Sequence, residues 1–167
     1  MMHRRLSLAM LLFALPLLAA ASDGPPGTNG LSGLKVPRWA SLSAGEARMR
    51  AGPGENYPIT WVYHRLELPV RVIREYDIWR QVEDPDGTRG WMNRVLITGP
   101  RSAMIRGEAQ PLRAEPGTDA RILWRAAPGV IGRIDHCGGG WCEFAVGKRA
   151  GYVEISGLWG VDPHEGD

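Results

Sequence analysis

The sequence is poor in the residues from which most catalytic and metal sites are built. It contains only two cysteines and four histidines. No Cys-x-x-Cys pair occurs, which excludes a thioredoxin-type redox motif and a structural zinc site built from two such pairs. The chain also lacks a Gly-x-Ser-x-Gly elbow and the Gly-Lys-Thr or Gly-x-Gly-x-x-Gly segments that bind phosphate. We therefore predict a protein that is not an enzyme and that has no cofactor and no bound metal.

The sequence also lacks a surplus of charge of either sign. It has 20 basic and 18 acidic residues, and loss of Arg4 and Arg5 with an N-terminal leader peptide would leave 18 of each. The sequence has no cluster of basic residues, so it lacks the basic patch that is typical of nucleic-acid-binding proteins. Beyond the first residues no segment shows a sustained helical period with caps. These absences exclude a nucleic-acid partner and argue against a helical fold.

The N-terminus has the composition of a secretory signal peptide. Arg4 and Arg5 precede an apolar run of 16 residues, 6–21, which contains Pro16 and ends in small residues. The alternative is a membrane anchor, but a bilayer span usually needs roughly 18–20 apolar residues. We predict a signal peptide at 1–21 that is cleaved near its end. The mature protein is then periplasmic or secreted, with no stable membrane span after processing.

An internal repeat divides the rest of the chain. Pairs of similar segments recur at an offset of 61 to 63 residues. They are 49–54 with 112–117, Trp61 with Trp124, 72–79 with 134–141, and 90–92 with 151–153. Two copies of about 60 residues favour two small domains over a solenoid, which needs three or more repeats.

Each copy has the pattern of short β-strands. The runs 59–63 and 70–76 are rich in β-branched and aromatic residues and are bounded by proline and glycine. Asp84-Pro85-Asp86-Gly87 is a turn sequence, in which proline presets φ and glycine takes a positive φ. It is expected to join 79–83 to 88–92 as a hairpin. Several short strands at this spacing predict an all-β fold.

Three elements of the first copy resemble the bacterial SH3-like domain family. They are an Arg-x-Gly-Pro opening at 50–53, a tryptophan three residues before an aliphatic residue (Trp79 and Val82), and a closing Gly-Trp-Met at 90–92. The second copy is degenerate, since Glu115, Ala120 and Tyr152 replace a glycine, a tyrosine and the closing tryptophan. The resemblance implies two tandem SH3-like barrels and, in some family members, cell-wall targeting.

These observations predict five segments in chain order. A signal peptide at 1–21 precedes a flexible leader at 22–37, where glycine, proline and serine are too abundant to bury apolar surface. Barrel 1 is predicted at 38–99 and the degenerate barrel 2 at 100–160. A C-terminal tail follows at 161–167.

The two cysteines are predicted to form a disulfide. Cys137 and Cys142 flank a segment that corresponds, through the repeat, to a connection between adjacent strands. Cysteines that face each other across a hairpin meet the spacing a disulfide requires, and export favours the bond. The alternative is a metal site made of His136, Cys137 and Cys142, which lacks a fourth ligand.

Aromatic residues are the candidates for ligand binding. We expect Trp61 and Trp124, which match in the repeat, to be packing residues. Four residues of barrel 1 are predicted to line a ligand-binding groove: Trp79, Trp91, Tyr57 and Tyr63. For Trp79 the sequence leaves a core position equally open. Arg50 and Arg113 recur beside the diverging turn, where a structural role bonding loop carbonyls is favoured over anion binding.

The sequence therefore predicts an exported binding module. Its ligand would be cell-wall material such as peptidoglycan, or a peptide segment, bound through barrel 1. The alternatives are a periplasmic interaction or scaffolding subunit and an accessory subunit of a separate cell-wall enzyme. One barrel type serves many partners, so the fold alone does not choose among them.

Overall fold

The protein is described here from a computed structural model, which covers residues 28–97 and 100–166. These residues form strands and turns, with 3-10 turns at Arg94–Leu96 and Ile155–Gly157. The predicted all-β fold is confirmed. Within the same residues no helix is long and apolar enough to cross a membrane. The predicted signal peptide and the leader up to residue 27 lie outside the described residues.

The strands fall into a short hairpin and two larger sheets. The hairpin is β1 (Thr28–Asn29) with β2 (Lys35–Val36). Barrel 1 contains β3 (Arg38–Ser41), β4 (Ala47–Arg50), β5 (Ile59–Tyr63), β6 (Pro69–Tyr76), β7 (Trp79–Glu83) and β8 (Arg89–Asn93). Barrel 2 contains β9 (Ser102–Ile105), β10 (Gln110–Arg113), β11 (Ile122–Ala126), β12 (Ile131–Gly138), β13 (Trp141–Val146), β14 (Arg149–Glu154) and β15 (Leu158–Trp159).

The two sheets have the same strand order. Barrel 1 runs β5-β4-β8-β7-β6-β3, and barrel 2 runs β11-β10-β14-β13-β12-β9 with β15 added beside β9. All the pairings are antiparallel. The internal repeat of the sequence is therefore a repeat of topology.

Matching glycines explain why the closing motif recurs. A Cβ atom on Gly90 would lie 2.4 Å from the Met49 side chain and 3.0 Å from the Arg50 carbonyl oxygen. A Cβ on Gly151 would lie 3.0 Å from the Arg113 carbonyl oxygen. Each glycine lets one strand of its barrel approach another more closely than a side chain allows.

Each barrel has its own hydrophobic core. Alternation along β4 shows how it forms: Ala47 and Met49 are buried, whereas Arg48 between them is exposed. Barrel 1 buries mainly aliphatic and methionine side chains, and barrel 2 is centred on Phe144 and Leu112. Two separate cores are what two repeats of about 60 residues require.

Part of the expected flexible leader is structured. Residues 28–36 form the β1–β2 hairpin, and Val36 is buried in the barrel 1 core. Ser32 at its tip donates hydrogen bonds to Glu75 from its backbone nitrogen, at 2.7 Å, and from its hydroxyl, at 2.8 Å. The end of the predicted leader therefore has defined contacts, with a partner 43 residues away along the chain, and its flexibility stays a prediction.

The barrels contact each other through polar and apolar groups. The Ser41 and Ser102 hydroxyl oxygens lie 2.7 Å apart in a buried position. Arg133 of barrel 2 binds Glu67 of barrel 1, with its Nε 2.6 Å from the carboxylate oxygen. Ile131 of barrel 2 packs against the core of barrel 1. These contacts fix the relative positions of the two barrels.

The C-terminal tail also contacts both barrels. Val161 is buried in the barrel 2 core. The Trp39 indole Nε1 of barrel 1 donates a 2.9 Å hydrogen bond to Asp162. Arg101 forms an ion pair with Glu165. The tail therefore takes part in the junction of the two barrels.

Candidate functional site

Two of the predicted site residues lie together on the outer face of barrel 1. In the β7–β8 ladder, Trp79 pairs with Asn93 and Gln81 pairs with Trp91, so the two tryptophans are diagonal neighbours on one side of the sheet. Arg50 of β4 continues this face, opposite Trp91. We define the outer face of barrel 1 as Arg48, Arg50, Trp79, Trp91 and Asn93.

The outer face contains a depression of about 310 Å³. Its lining combines Trp79 and Leu96 with charged and polar groups, namely Glu46, Arg48, Arg50, Glu55 and Asn93. Trp79 is only 7% exposed, whereas Trp91 is half-buried. Trp79 therefore forms part of the depression's floor, and Trp91 lies diagonally from it on the same face of the sheet without lining the depression.

Tyr57 lies next to the outer face on the loop that follows β4. Its ring covers Gly52, where an added Cβ would come within 2.3 Å of the ring carbons. Arg50 holds this loop, because its Nη1 donates hydrogen bonds to the carbonyl oxygens of Glu55, at 3.0 Å, and of Tyr57, at 2.8 Å. Tyr57 is 42% exposed, so its ring is accessible at the edge of the outer face.

Tyr63 is not part of the outer face. It is 7% exposed, belongs to the barrel 1 core, and donates a 2.8 Å hydrogen bond to the Asp84 carboxylate. Burial and the neighbouring Asp84 raise the pKa of the Tyr63 hydroxyl well above its ordinary value. The structure thus brings Trp79 and Trp91 together with Tyr57 nearby and places Tyr63 apart. The ligand-binding role of the four residues stays a prediction.

The recurring arginines have the structural role that was favoured. Arg113 of barrel 2 donates a 2.6 Å hydrogen bond to the Ala120 carbonyl oxygen, as Arg50 does to the carbonyls of its own loop. In both barrels the guanidinium therefore anchors the diverging turn.

The recurring tryptophans differ from each other. Trp124 packs against the barrel 2 core and donates a 3.2 Å hydrogen bond to the Ala150 carbonyl oxygen. Trp61 is 56% exposed, so the expectation that it fills the core is wrong. It lies on β5, which among residues 28–97 and 100–166 is an edge strand with β4 as its one ladder neighbour. Three apolar side chains of β5 face solvent, Ile59, Trp61 and Val62.

The predicted disulfide is present. Cys137 and Cys142 are directly paired across the β12–β13 ladder, with their Cα atoms 4.1 Å apart, and their sulfurs are bonded. The bond removes both sulfurs as ligands for the alternative metal site. Asp135, His136 and Glu143 nearby each offer a ligand atom within 4.8 Å of the others. His136 and Asp135 are largely exposed, and the two form an ion pair when the imidazole is protonated.

The sequence pattern of a known family matches both barrels. The family described as "Bacterial SH3 domain" matches residues 43–99 and 106–160, which together make up about two thirds of the chain. The chain belongs to the bacterial SH3 domain family. The resemblance stated from the sequence motifs is thereby confirmed, including its tandem arrangement.

Similar proteins include a much longer bacterial chain. This chain is 23% identical over 125 residues to the Putative N-acetylmuramoyl-L-alanine amidase YrvJ of Bacillus subtilis (strain 168). The match covers 68% of this chain and 24% of the Bacillus protein. The chain therefore spans about a quarter of the length of that relative.

Two solved structures show a more distant likeness. NlpC2 of Trichomonas vaginalis has 13% identity and a TM-score of 0.33, with coverage of 74% of this chain and 48% of its own. NlpC1 of the same organism has 13% identity and a TM-score of 0.32, with coverage of 87% and 50%. Neither likeness is close enough to carry a functional conclusion.

Proposed function

We propose that this protein is an exported, non-catalytic module that binds cell-wall material through the outer face of barrel 1. Its bacterial SH3 domains support a binding role. The name of the Bacillus relative, an N-acetylmuramoyl-L-alanine amidase, supports the cell wall as the place of action. The amide bond between N-acetylmuramic acid and L-alanine, after which that relative is named, occurs in peptidoglycan. Peptidoglycan is therefore the proposed ligand.

The observation that carries the proposal is that Trp79 and Trp91 are diagonal neighbours on the face that holds a depression with charged walls. A sugar ring presents an apolar face, which packs on an indole ring, and hydroxyl and amide groups, which need polar partners. Binding sites for such ligands are mostly apolar, with a few placed polar groups. The outer face offers both kinds of surface, since Arg48, Glu55 and Asn93 line the depression whose floor Trp79 forms.

Export is supported by two independent features. The first is the signal-peptide composition of residues 1–21. The second is the Cys137–Cys142 disulfide, a bond that persists mainly in oxidising compartments. Mass spectrometry of the protein recovered from the periplasm or the medium should find an N-terminus within a few residues of Ser22. A full-length chain in the membrane fraction would contradict export.

The binding proposal is tested by sedimentation with isolated peptidoglycan sacculi. Trp91→Ala should weaken binding about thirtyfold, because loss of a central aromatic typically costs about 2 kcal/mol in affinity. Trp61→Ala is the matched control, since it removes the same side chain from an exposed position on the β5 edge. The control should bind sacculi as the unchanged protein does.

Two results would reject the proposal. One is absence of sedimentation with sacculi for the unchanged, folded protein. The other is equal binding by Trp91→Ala and Trp61→Ala, which would place the contact surface elsewhere. Melting temperatures of both variants confirm that each remains folded.

A second candidate function rests on the β5 edge. An edge strand with exposed apolar side chains can accept a strand of another protein, which adds backbone hydrogen bonds and side-chain contacts. Ile59, Trp61 and Val62 of β5 are 43%, 56% and 37% exposed. This edge favours an interaction or scaffolding subunit, or an accessory subunit of a separate cell-wall enzyme. Under this alternative Trp61→Ala abolishes binding of the partner protein, whereas Trp91→Ala does not.

A further inference from the structure

A second concavity lies between the barrels. It has a volume of about 770 Å³. Trp39 and Arg71 of barrel 1 form one side, and Arg106, Trp141 and Trp159 of barrel 2 form the other. We call it the junction cleft. Its volume is in the range of sites that hold small-molecule ligands.

Two arginines in the cleft lie on tryptophan rings. The Arg71 guanidinium carbon lies 5.8 Å from the centre of the Trp39 ring, its partner in the β3–β6 ladder. The Arg106 guanidinium carbon lies 5.2 Å from the centre of the Trp159 ring. Stacking holds each guanidinium in place while leaving its N–H groups free to donate.

Among residues 28–97 and 100–166, no hydrogen bond or ion pair joins the guanidinium group of Arg71 or of Arg106 to a carboxylate or carbonyl oxygen. The Arg106 backbone nitrogen, by contrast, donates a 2.9 Å hydrogen bond to the Gly157 carbonyl oxygen. The two acidic residues of the cleft have other partners: Asp162 accepts from the Trp39 indole, and Glu154 accepts from the Ser156 hydroxyl at 3.3 Å. The cleft lining thus holds two arginines and two carboxylates, and the guanidinium N–H groups of both arginines are left to donate to a ligand.

The Trp159 indole adds a third unmatched donor. Its Nε1 is buried and has no hydrogen-bond partner among the described residues, whereas the Trp39 Nε1 is bonded to Asp162. A buried N–H without an acceptor is costly, and such groups are rare. Trp159 also lines the cleft, so a ligand bound there would change the surroundings of this indole.

We propose that the junction cleft binds a small ligand that carries a carboxylate and an apolar body. The carboxylate accepts hydrogen bonds from Arg71 and Arg106, which suit its planar geometry. The apolar part packs on Trp39, Trp141 and Trp159. This site lies outside the outer face of barrel 1, and the proposal does not depend on cell-wall binding by that face.

The carboxylate can belong to an acidic sugar or to the end of a peptide, and the test separates these sources. The indole N–H signals of the full chain are followed by NMR during titration with N-acetylmuramic acid or with N-acetyl-alanyl-alanine. Each acid has a matched neutral probe, N-acetylglucosamine for the sugar and the C-terminal amide for the peptide. At least one acid should shift the Trp159 indole signal, and its neutral partner should shift it at least tenfold less at equal concentration.

Variants then assign the donors. Arg71→Gln and Arg106→Gln keep a polar side chain over each ring but remove the charge, and each should weaken binding of the acid about tenfold. Arg125→Ala, which removes an exposed arginine from β11, should leave binding unchanged. Trp91→Ala should also leave it unchanged, which separates this site from the outer face.

Three outcomes would overturn the proposal. They are no shift of the Trp159 signal with either acid, equal shifts with an acid and its neutral partner, and unchanged binding of the acid by both glutamine variants. Melting temperatures of the glutamine variants within a few degrees of the unchanged protein show that a loss of binding is not a loss of folding.

Discussion

The indole rings of Trp39 and Trp159 meet edge to face, with their centroids 4.8 Å apart and their planes at 79°. Trp39 belongs to barrel 1 and Trp159 to the last strand of barrel 2. Aromatic pairs in this arrangement contribute about 0.5–1.5 kcal/mol beyond their buried area. The pair is therefore a specific attachment between the barrels.

A double-mutant cycle measures this attachment. Trp39→Ala, Trp159→Ala and the double variant should give a coupling energy of about 1 kcal/mol by denaturant unfolding. In ¹⁵N relaxation the unchanged protein should tumble as one body, and the double variant should show looser coupling of the barrels. Additive effects of the two substitutions would contradict a direct contact.

Glu75 predicts how stability depends on pH. Its side chain is fully buried, and it pairs with Arg38 at 2.8 Å and with Arg80 at 3.1 Å. Burial acts to raise the pKa of Glu75, but hydrogen bonds from Ser32 and the charge of Arg38 outweigh it, so the pKa lies below its ordinary value. The folded state thus favours the ionised carboxylate more than the unfolded state does.

The stabilisation from Glu75 is therefore fully present at pH values above the ordinary pKa of a glutamate carboxyl group. It is lost as the pH falls through the lowered pKa of the folded state. Melting temperatures measured between pH 6 and pH 2 should fall less steeply for Glu75→Gln than for the unchanged protein. Glu108→Gln, which alters an exposed acid, is the control and should keep the full slope. Equal slopes for both variants would contradict the role of Glu75.

The fold was largely predictable from the sequence because it depends on local patterns that occur twice. Gly90 and Gly151 recur because each barrel needs a close approach of strands at that point. Asp84-Pro85-Asp86-Gly87 forms the expected turn, with Gly87 at φ +83° and its N–H bonded to the Asp84 carbonyl. The turn is a local feature, and the glycines could be recognised from their recurrence in both copies, although the close approach that requires them involves strands distant in the chain.

The features that the sequence did not predict depend on contacts between distant residues. Ser32 is held by Glu75, and a glycine- and proline-rich composition alone did not predict this contact at the end of the leader. Trp61 and Trp124 lie on the equivalent edge strands β5 and β11, yet Trp61 is exposed whereas Trp124 packs on the core and bonds the Ala150 carbonyl oxygen. The strand pattern does not reveal this difference. The junction cleft requires Trp39 and Trp159 to meet across 120 residues of chain, and no repeat or motif marks them.

The Cys137–Cys142 disulfide should stabilise barrel 2 modestly. It closes a loop of only a few residues, so the loop-entropy contribution is about 2 kcal/mol at most. The double variant Cys137→Ala/Cys142→Ala should lower the free energy of unfolding of barrel 2 by up to that amount. Barrel 1, with its separate core, should stay folded. A reducing agent should destabilise the unchanged protein and leave the double variant unaffected, and two free thiols in exported protein would contradict the bond.

Tyr63 and Asp84 should stabilise barrel 1 as a unit. Asp84 is 5% exposed; one of its oxygens accepts from the Tyr63 hydroxyl, and the other accepts from the backbone nitrogens of Asp86 and Thr88. Tyr63→Phe removes one donor from a buried carboxylate and should cost about 1–3 kcal/mol in urea unfolding. Asp86→Asn, at an exposed position of the same turn, should change stability by less than about 0.5 kcal/mol. If Tyr63→Phe left the free energy of unfolding unchanged, this hydrogen bond would not have the stabilising role.

Two substitutions of Trp79 distinguish a packing role from a ligand-binding role of this side chain. Because the side chain is 7% exposed, Trp79→Ala should cost about 3–5 kcal/mol in the free energy of unfolding, as large core truncations do. Trp79→Phe keeps an aromatic ring and should remain folded, so sacculus binding can be measured on it. If Trp79 contacts the ligand through the depression, Trp79→Phe should bind several-fold more weakly with a nearly unchanged melting temperature. Full binding by Trp79→Phe, together with a strongly destabilised Trp79→Ala, would assign Trp79 to packing alone and leave Trp91 as the aromatic contact of the outer face.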